Sequence, residues 1–157
     1  MATVITGGIG GHGAFTTTEE HRTANLGDTA KGTDATEWMY VQANGAITQY
    51  DFVGIDENFQ AASLTTAMVG DGWYIGVAQV AFSDNDYGWV ATRGSNINGN
   101  FLTTVAADVA LYSSGTAGSL DDLSSNGTKI DGIVCVTGTT EATNAEVIMT
   151  FTKSTTF

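Results

Sequence analysis

The sequence predicts an all-β fold, a small β-barrel or β-sandwich, on three observations. Short apolar stretches recur between turn residues at about the 8–12-residue spacing typical of such folds. No stretch of about ten residues repeats its apolar positions with the 3.6-residue period of a helix. Charged residues make up only 14% of the chain, and Thr, Ser, Asn and Gly replace them. This composition favours extended strands and dense turns.

The first half of the body is predicted to contain strands at 38–43, 47–55 and 60–64. Asn44-Gly45 predicts a tight hairpin turn between the first two, because both residues tolerate positive φ. A single helical turn should follow, with Thr65 as its N-cap and Gly70 as its C-cap.

The strongest strand pattern lies at 73–82, where Trp73, Ile75 and Val77 alternate with Tyr74, Gly76 and Ala78. A turn at 83–86 leads to a returning strand at 87–92. Shorter strands are expected at 101–105 and 109–112, and a Gly- and Ser-rich loop at 113–127. Strands at 130–137 and 146–152 complete the sheet.

The chain divides by composition into an N-terminal arm at 1–35 and one domain at 36–157. The arm is rich in Gly and Thr and holds few large apolar residues, so it cannot bury enough surface to order itself. Ile5, Ile9 and Phe15 are its candidate anchors on a neighbouring surface. We therefore expect an extended arm that becomes ordered against another molecule.

Charge excludes two classes of partner. The chain carries 17 acidic and 5 basic residues, a formal net charge of −12. Binding to nucleic acid or to an anionic membrane needs clustered Lys and Arg, and here they are scattered. No apolar run is long enough to span a bilayer. The expected partners are therefore proteins.

No motif predicts chemistry. Gly8-x-Gly10-x-x-Gly13 matches a dinucleotide-binding fingerprint by letter, but no helix pattern follows it. The acidic stretch at 84–88 lacks the distal Glu of a calcium loop, so a tight turn explains it. Cys135 lies in an apolar run and is expected to be a buried, inert thiol. We expect no cofactor, no metal site and no enzymatic activity.

Aromatic residues are the candidate contact residues of the body. Trp38, Trp73 and Trp89 all fall in or beside predicted strands. Core packing explains most strand aromatics, while one or two on an outer face would anchor an interface.

Three segments of the body resemble small structural proteins of tailed-phage heads, the capsid decoration or cement proteins. They read EWMYVQANGAITQYDFVGIDE at 37–57, DGWYIGVAQVAFSDNDYGWVATRGS at 71–95 and ADVALYSSGTAGSLDDLSSNGTKIDGIV at 107–134. The resemblance runs from near Thr36 to the end of the chain, and the arm departs from it.

This resemblance implies a compact β-barrel or β-tulip-like body on the outer capsid surface, usually a homotrimer and in some relatives a dimer. Its partner would be the major capsid protein, whose neighbouring subunits it clamps. Two alternatives stay open: a carbohydrate- or host-binding module of a virion fibre or spike, and a small hydrolase within a β-sandwich.

Overall fold

The computed structural model describes residues 17–32 and 35–154 and confirms the all-β prediction. This part of the chain holds eleven strands, one five-residue helix, α1 (Thr66–Gly70), and one 3-10 turn at Ser124–Asn126. The strands are β1 (Thr18–Glu19), β2 (Thr29–Lys31), β3 (Glu37–Ala43), β4 (Phe52–Ile55), β5 (Gln60–Ser63), β6 (Tyr74–Val77), β7 (Tyr87–Asn100), β8 (Leu111–Ser113), β9 (Leu120–Asp121), β10 (Lys129–Cys135) and β11 (Asn144–Ser154).

Five strands close into a barrel. The ring runs β3–β5–β4–β6–β7 and returns to β3 through six residue pairs between β3 and β7. Only the β3–β5 contact is parallel, with Ala43 opposite Ala61, and the other four are antiparallel. Closure leaves these strands few free backbone groups.

A second sheet shares the long strand β7 with the barrel. The first half of β7 pairs with β3, and its second half pairs with β11, which continues to β10, β8 and β9. The change of partner falls at Gly94, which has φ 118° and lies opposite Met149. Glycine adopts this conformation without steric cost, so the strand can bend from one sheet into the other.

Two hydrophobic cores follow from this arrangement. The inside of the barrel is filled mainly by small aliphatic side chains, and a Cβ added to Gly76 would come within 3.2 Å of Val90 there. Its buried members are Val41, Ala43, Ile47, Val53, Ile55, Ala61, Ala78, Phe82 and Val90.

The larger core lies between the outer wall of the barrel and the second sheet. Trp38, Tyr40 and Phe52 come from the barrel, and Ile133 and Val147 from the sheet. Alternation along the strands produces this division, because successive side chains point to opposite faces. The predicted alternation in β6 is confirmed, since Ile75 and Val77 join the larger core while Gly76 faces the barrel interior.

The predicted Asn44-Gly45 hairpin is wrong. β3 pairs with β2, β5 and β7, while β4 pairs with β5 and β6, so no ladder joins β3 to β4. Gly45 does have a positive φ of 102°, but the turn leads into a loop in which Ile47 bridges Phe82. Of the two residues of the predicted turn, Gly45 alone adopts a positive φ, and the flanking strands do not pair with each other.

Other boundaries also differ. The stretches predicted as strands at 47–55 and 73–82 narrow to β4 and β6, and 101–105 forms no strand beyond a bridge at Phe101. The predicted 113–127 loop contains β9 and the 3-10 turn, and α1 begins after Thr65 as expected but takes Asp71 as its C-cap.

The segment 17–32 is tied to the barrel. Thr18 pairs with Gly88 through β1, and Ala30 pairs with Trp38 through β2. The division into an arm at 1–35 and a domain at 36–157 stays a prediction.

Candidate interaction surface

Trp38 and Trp89, two of the predicted contact residues, lie in the larger core. Their exposed fractions are 3% and 5%. The Trp38 indole N–H donates to Thr36 Oγ1 at 2.6 Å, and Trp89 packs edge-on against Tyr40 with ring centroids 5.2 Å apart. Both side chains are therefore occupied within this chain, and a contact with a partner stays a prediction for them.

Trp73, the third, is half-buried just before β6. A side chain on Gly54 would come within 3.2 Å of its ring, so the indole lies close over the β4 backbone. The next residue, Tyr74, is 66% exposed. The structure therefore brings an accessible aromatic to the start of β6, next to the predicted tryptophan.

Ile5, Ile9 and Phe15, the predicted anchors of the arm, lie outside the described residues. The first described contacts come just after them. Glu19 Oε2 accepts a 2.5 Å hydrogen bond from the Thr23 hydroxyl and a 3.3 Å one from the Tyr40 hydroxyl. These contacts tie Glu19 and Thr23 to Tyr40 in β3.

Sequence reasoning missed an apolar pair on the outer face of the second sheet. Val134 in β10 lies directly opposite Ile148 in β11, with exposed fractions of 38% and 41%. Side chains opposite each other on antiparallel strands lie about 4.5–5.5 Å apart at Cβ, so the two form one continuous patch. We call Val134 and Ile148 the β10–β11 patch.

A signal for this patch was present in the sequence. Residues 133–136 and 147–149 are uninterrupted apolar runs, so each strand places apolar side chains on both faces. A strand with one face in water ordinarily alternates apolar and polar residues. The buried face of the two strands is occupied by Ile133, Cys135, Val147 and Met149. Val134 and Ile148 lie exposed on the opposite face.

The described cations are largely neutralised by local acids. Lys31 Nζ and the Arg93 guanidinium both approach Glu37 Oε1, at 3.7 and 3.6 Å. Lys129 Nζ lies 2.8 Å from Asp131 Oδ1, and the hydrogen bond and charge of this carboxylate raise the pKa of Lys129. With few acids neutralised in return, the protein keeps a strongly acidic exterior.

The acidic side chains of the described residues are not gathered into a metal-binding cluster. These residues contain no cluster of three or more His, Cys, Asp or Glu side chains placed to hold a metal. The carboxylates of the 83–86 turn accept hydrogen bonds from backbone N–H groups. Asp84 Oδ1 accepts one from Gly45 N at 2.8 Å, and Asp86 Oδ2 accepts one from Ser83 N at 3.1 Å. Among these residues, no helix is both long and apolar enough to cross a membrane.

The fold has a counterpart among solved structures. It is similar to the N base of the head fibre protein gp8.5 of bacteriophage phi29, with a TM-score of 0.50 and 13% sequence identity. The match covers 74% of this chain and 95% of that chain. No family model and no curated protein matches the sequence. At this identity the likeness is one of fold, and it supports the small all-β architecture.

Proposed function

We propose that this chain is a structural protein of a phage virion that binds the outer capsid surface and stabilises contacts between major capsid protein subunits. The observation that carries the proposal is the likeness of its fold to the base of a phage head fibre. We further propose that it works as a homo-oligomer, a trimer or a dimer, without enzymatic activity.

The described surface suits a role in adhesion. An exposed apolar pair and an exposed tyrosine offer contact area, while the net charge of −12 keeps the free protein soluble at high concentration. Many copies on one shell would add weak contacts into stable attachment.

Reconstitution on phage heads tests this function. Heads assembled without the chain would be mixed with purified protein, and its occupancy measured by gel densitometry after sedimentation. We expect saturable binding and a higher temperature of DNA release, followed with a DNA-binding dye. Heads that bind no protein would refute the proposal.

A chain that begins at residue 17 is the matched variant for the arm, because it keeps every described strand. If residues 1–16 engage the capsid or a sister subunit, this variant should reach lower occupancy on the same heads. Equal occupancy by the two proteins would mean that residues 1–16 are not needed for attachment.

A second candidate is a module of a virion fibre or spike that binds carbohydrate or another host surface. It is favoured by the same likeness, since the similar structure is the base of a fibre. In this case the protein would bind heads without raising the temperature of DNA release, and would bind host cells or a glycan array. Tyr74→Ala should then weaken host binding, because Tyr74 is an accessible aromatic ring.

A further inference from the structure

We propose that the β10–β11 patch is a contact surface between two copies of this chain, which pair about a twofold axis. This inference concerns the free protein and deepens the proposed homo-oligomer by naming its interface. It rests on the neighbourhood of the patch, on its self-complementary chemistry and on the contrast with other exposed groups.

Four large apolar side chains are exposed in the described part of the chain: Tyr74, Leu123, Val134 and Ile148. Only Val134 and Ile148 are direct partners in a strand ladder. Two neighbouring aliphatic groups on a rigid pair of strands can be buried together, while a single exposed apolar residue is ordinary on protein surfaces.

The distribution of charge indicates which exposed apolar side chains can contact a second copy of the chain. Two identical chains with a net charge of −12 repel each other, so they must meet where carboxylates are few. Tyr74 lies opposite Ile55, which is followed by Asp56 and Glu57, and Leu123 directly follows Asp122. Two copies meeting at either of those places would bring like charges together.

The β10–β11 patch has mainly neutral neighbours on the exposed face of the sheet. Successive strand residues point to opposite faces, so the next residues on this face are Val136 just after β10 and Glu146 and Thr150 along β11.

Along the outer row of β11, Thr150 is uncharged, and the nearest carboxylate, Glu146, accepts a hydrogen bond from Asn96 N at 3.3 Å. Asp131, further along β10, is paired with Lys129. The patch therefore has one carboxylate beside it on this face, Glu146, for which the described residues show no ion pair, against Asp56 and Glu57 near Tyr74.

The edge strand β2, which pairs with β3, is a less suitable contact for a second copy. β2 has three residues, and its exposed Lys31 projects beside Glu37. Short edge strands that carry lysine are a common protection against strand addition. An isologous contact through a sheet face, with Val134 and Ile148 of each copy against those of the other, needs no open edge.

Sedimentation equilibrium over a range of protein concentrations tests the inference on the full chain. We expect a monomer–dimer equilibrium that tightens as NaCl screens the acidic surfaces. Ile148→Asp and Val134→Asp should each weaken dimerisation by about tenfold or more, since each places a carboxylate against its own copy. Leu123→Asp, at an apolar side chain that is still more exposed, should leave the equilibrium unchanged.

Circular dichroism would establish that each variant keeps the fold, and both patch positions are exposed enough to accept Asp. A second measurement traps the associated pair covalently. Ile148→Cys should form disulfide-linked dimers on mild oxidation, and Leu123→Cys should not, with Cys135 buried in both variants.

Three results would overturn the inference: a chain that stays monomeric at all concentrations, dimers unaffected by both patch variants, or a trimer. If Ile148→Asp leaves the solution state unchanged but abolishes binding to phage heads, the patch faces the capsid instead. That outcome would refute the interface between copies while supporting the proposed function.

Discussion

Gly99 lies so close to the Phe52 ring that a single added methyl group would strain the core. A Cβ at this position would overlap the Phe52 ring, with the ring Cε2 only 2.6 Å away. Gly99→Ala should therefore lower the free energy of unfolding by about 1–3 kcal/mol, the usual cost of overpacking. Urea denaturation followed by tryptophan fluorescence measures it.

Gly70→Ala is the matched control, because a Cβ there meets nothing within 4 Å and the residue ends α1. Alanine has the better helix propensity, so this variant should match the parent or gain up to about 0.5–1 kcal/mol. Equal destabilisation of both variants would contradict the close approach of Gly99 to Phe52.

Asp51 is a buried carboxylate that accepts three hydrogen bonds. Its oxygens accept from Ser63 Oγ at 2.7 Å, Asn100 Nδ2 at 3.0 Å and Thr48 N at 3.2 Å. Asp51→Asn replaces one acceptor oxygen with an NH2 group that faces donors. We expect a loss of about 1–3 kcal/mol in chemical denaturation.

The exposed Asp71 provides the comparison for this substitution. Asp71→Asn changes the same atoms in contact with water and should stay within about 0.5 kcal/mol of the parent. A similar loss in the two variants would mean that net charge, and not the network around Asp51, governs the effect.

The Lys129–Asp131 pair makes a spectroscopic prediction. The hydrogen bond and charge of Asp131 raise the pKa of Lys129, so Asp131→Asn should lower that pKa toward its ordinary value. The stabilisation is present below the unfolded-state pKa of Lys129 and is lost as pH rises through the folded-state value. NMR titration of the lysine side chain measures the change, and Glu57→Gln should leave it unaltered.

Among the elements, β7 connects the two sheets, because it belongs to both the barrel and the second sheet. At its bend, Gly94 has φ 118°, and a Cβ would come 2.9 Å from Thr36 Cα. Gly94→Ala should therefore cost about 2 kcal/mol or more. Hydrogen exchange should show protection falling in both β3 and β11, since both pair with β7 near the bend.

Gly115→Ala tests whether that effect is specific to the bend. This glycine has no positive φ, and nothing lies within 4 Å of a Cβ built on it. Its variant should keep full protection in both strands. If Gly94→Ala loosened β11 alone, the two sheets would not be coupled through β7.

Local sequence signals predicted strands well and their partners poorly. The strands β3, β5 and β10 appear within one or two residues of their predicted places, because their apolar and β-branched residues act locally. The partners of β3 lie elsewhere along the chain, and turn chemistry at Asn44-Gly45 contains no information about them.

The same limit applies to the candidate surface. Trp38 and Trp89 were predicted as contact residues and lie in the larger core, because a residue pattern cannot say which face of a strand meets a second layer. Their face is covered by the second sheet, while Val134 and Ile148 lie on the face that remains open. The two apolar runs that contain the patch were visible in the sequence, yet their pairing across β10 and β11 was not.

At the scale of the whole molecule, charge opposes both folding and association. Seventeen acids and five bases leave a net charge of −12 on a compact body, and the described salt bridges neutralise few of these acids. Self-repulsion should therefore weaken as the screening length falls from about 30 Å at 0.01 M salt to about 8 Å at 0.15 M. We expect the melting temperature to rise by about 2–4 °C over this range, equivalent to about 1 kcal/mol.

A variant with Glu57→Lys and Asp71→Lys separates screening from general salt effects. Both positions are exposed, so the less negative charge should be accommodated without repacking. Its melting temperature at low salt should lie above that of the parent, and its salt dependence should be smaller. Equal salt dependence in the two proteins would mean that salt acts through hydration of apolar surface. The acidic exterior would then impose no measurable cost on the fold, and the small number of carboxylates around the β10–β11 patch would lose its significance for pairing two copies.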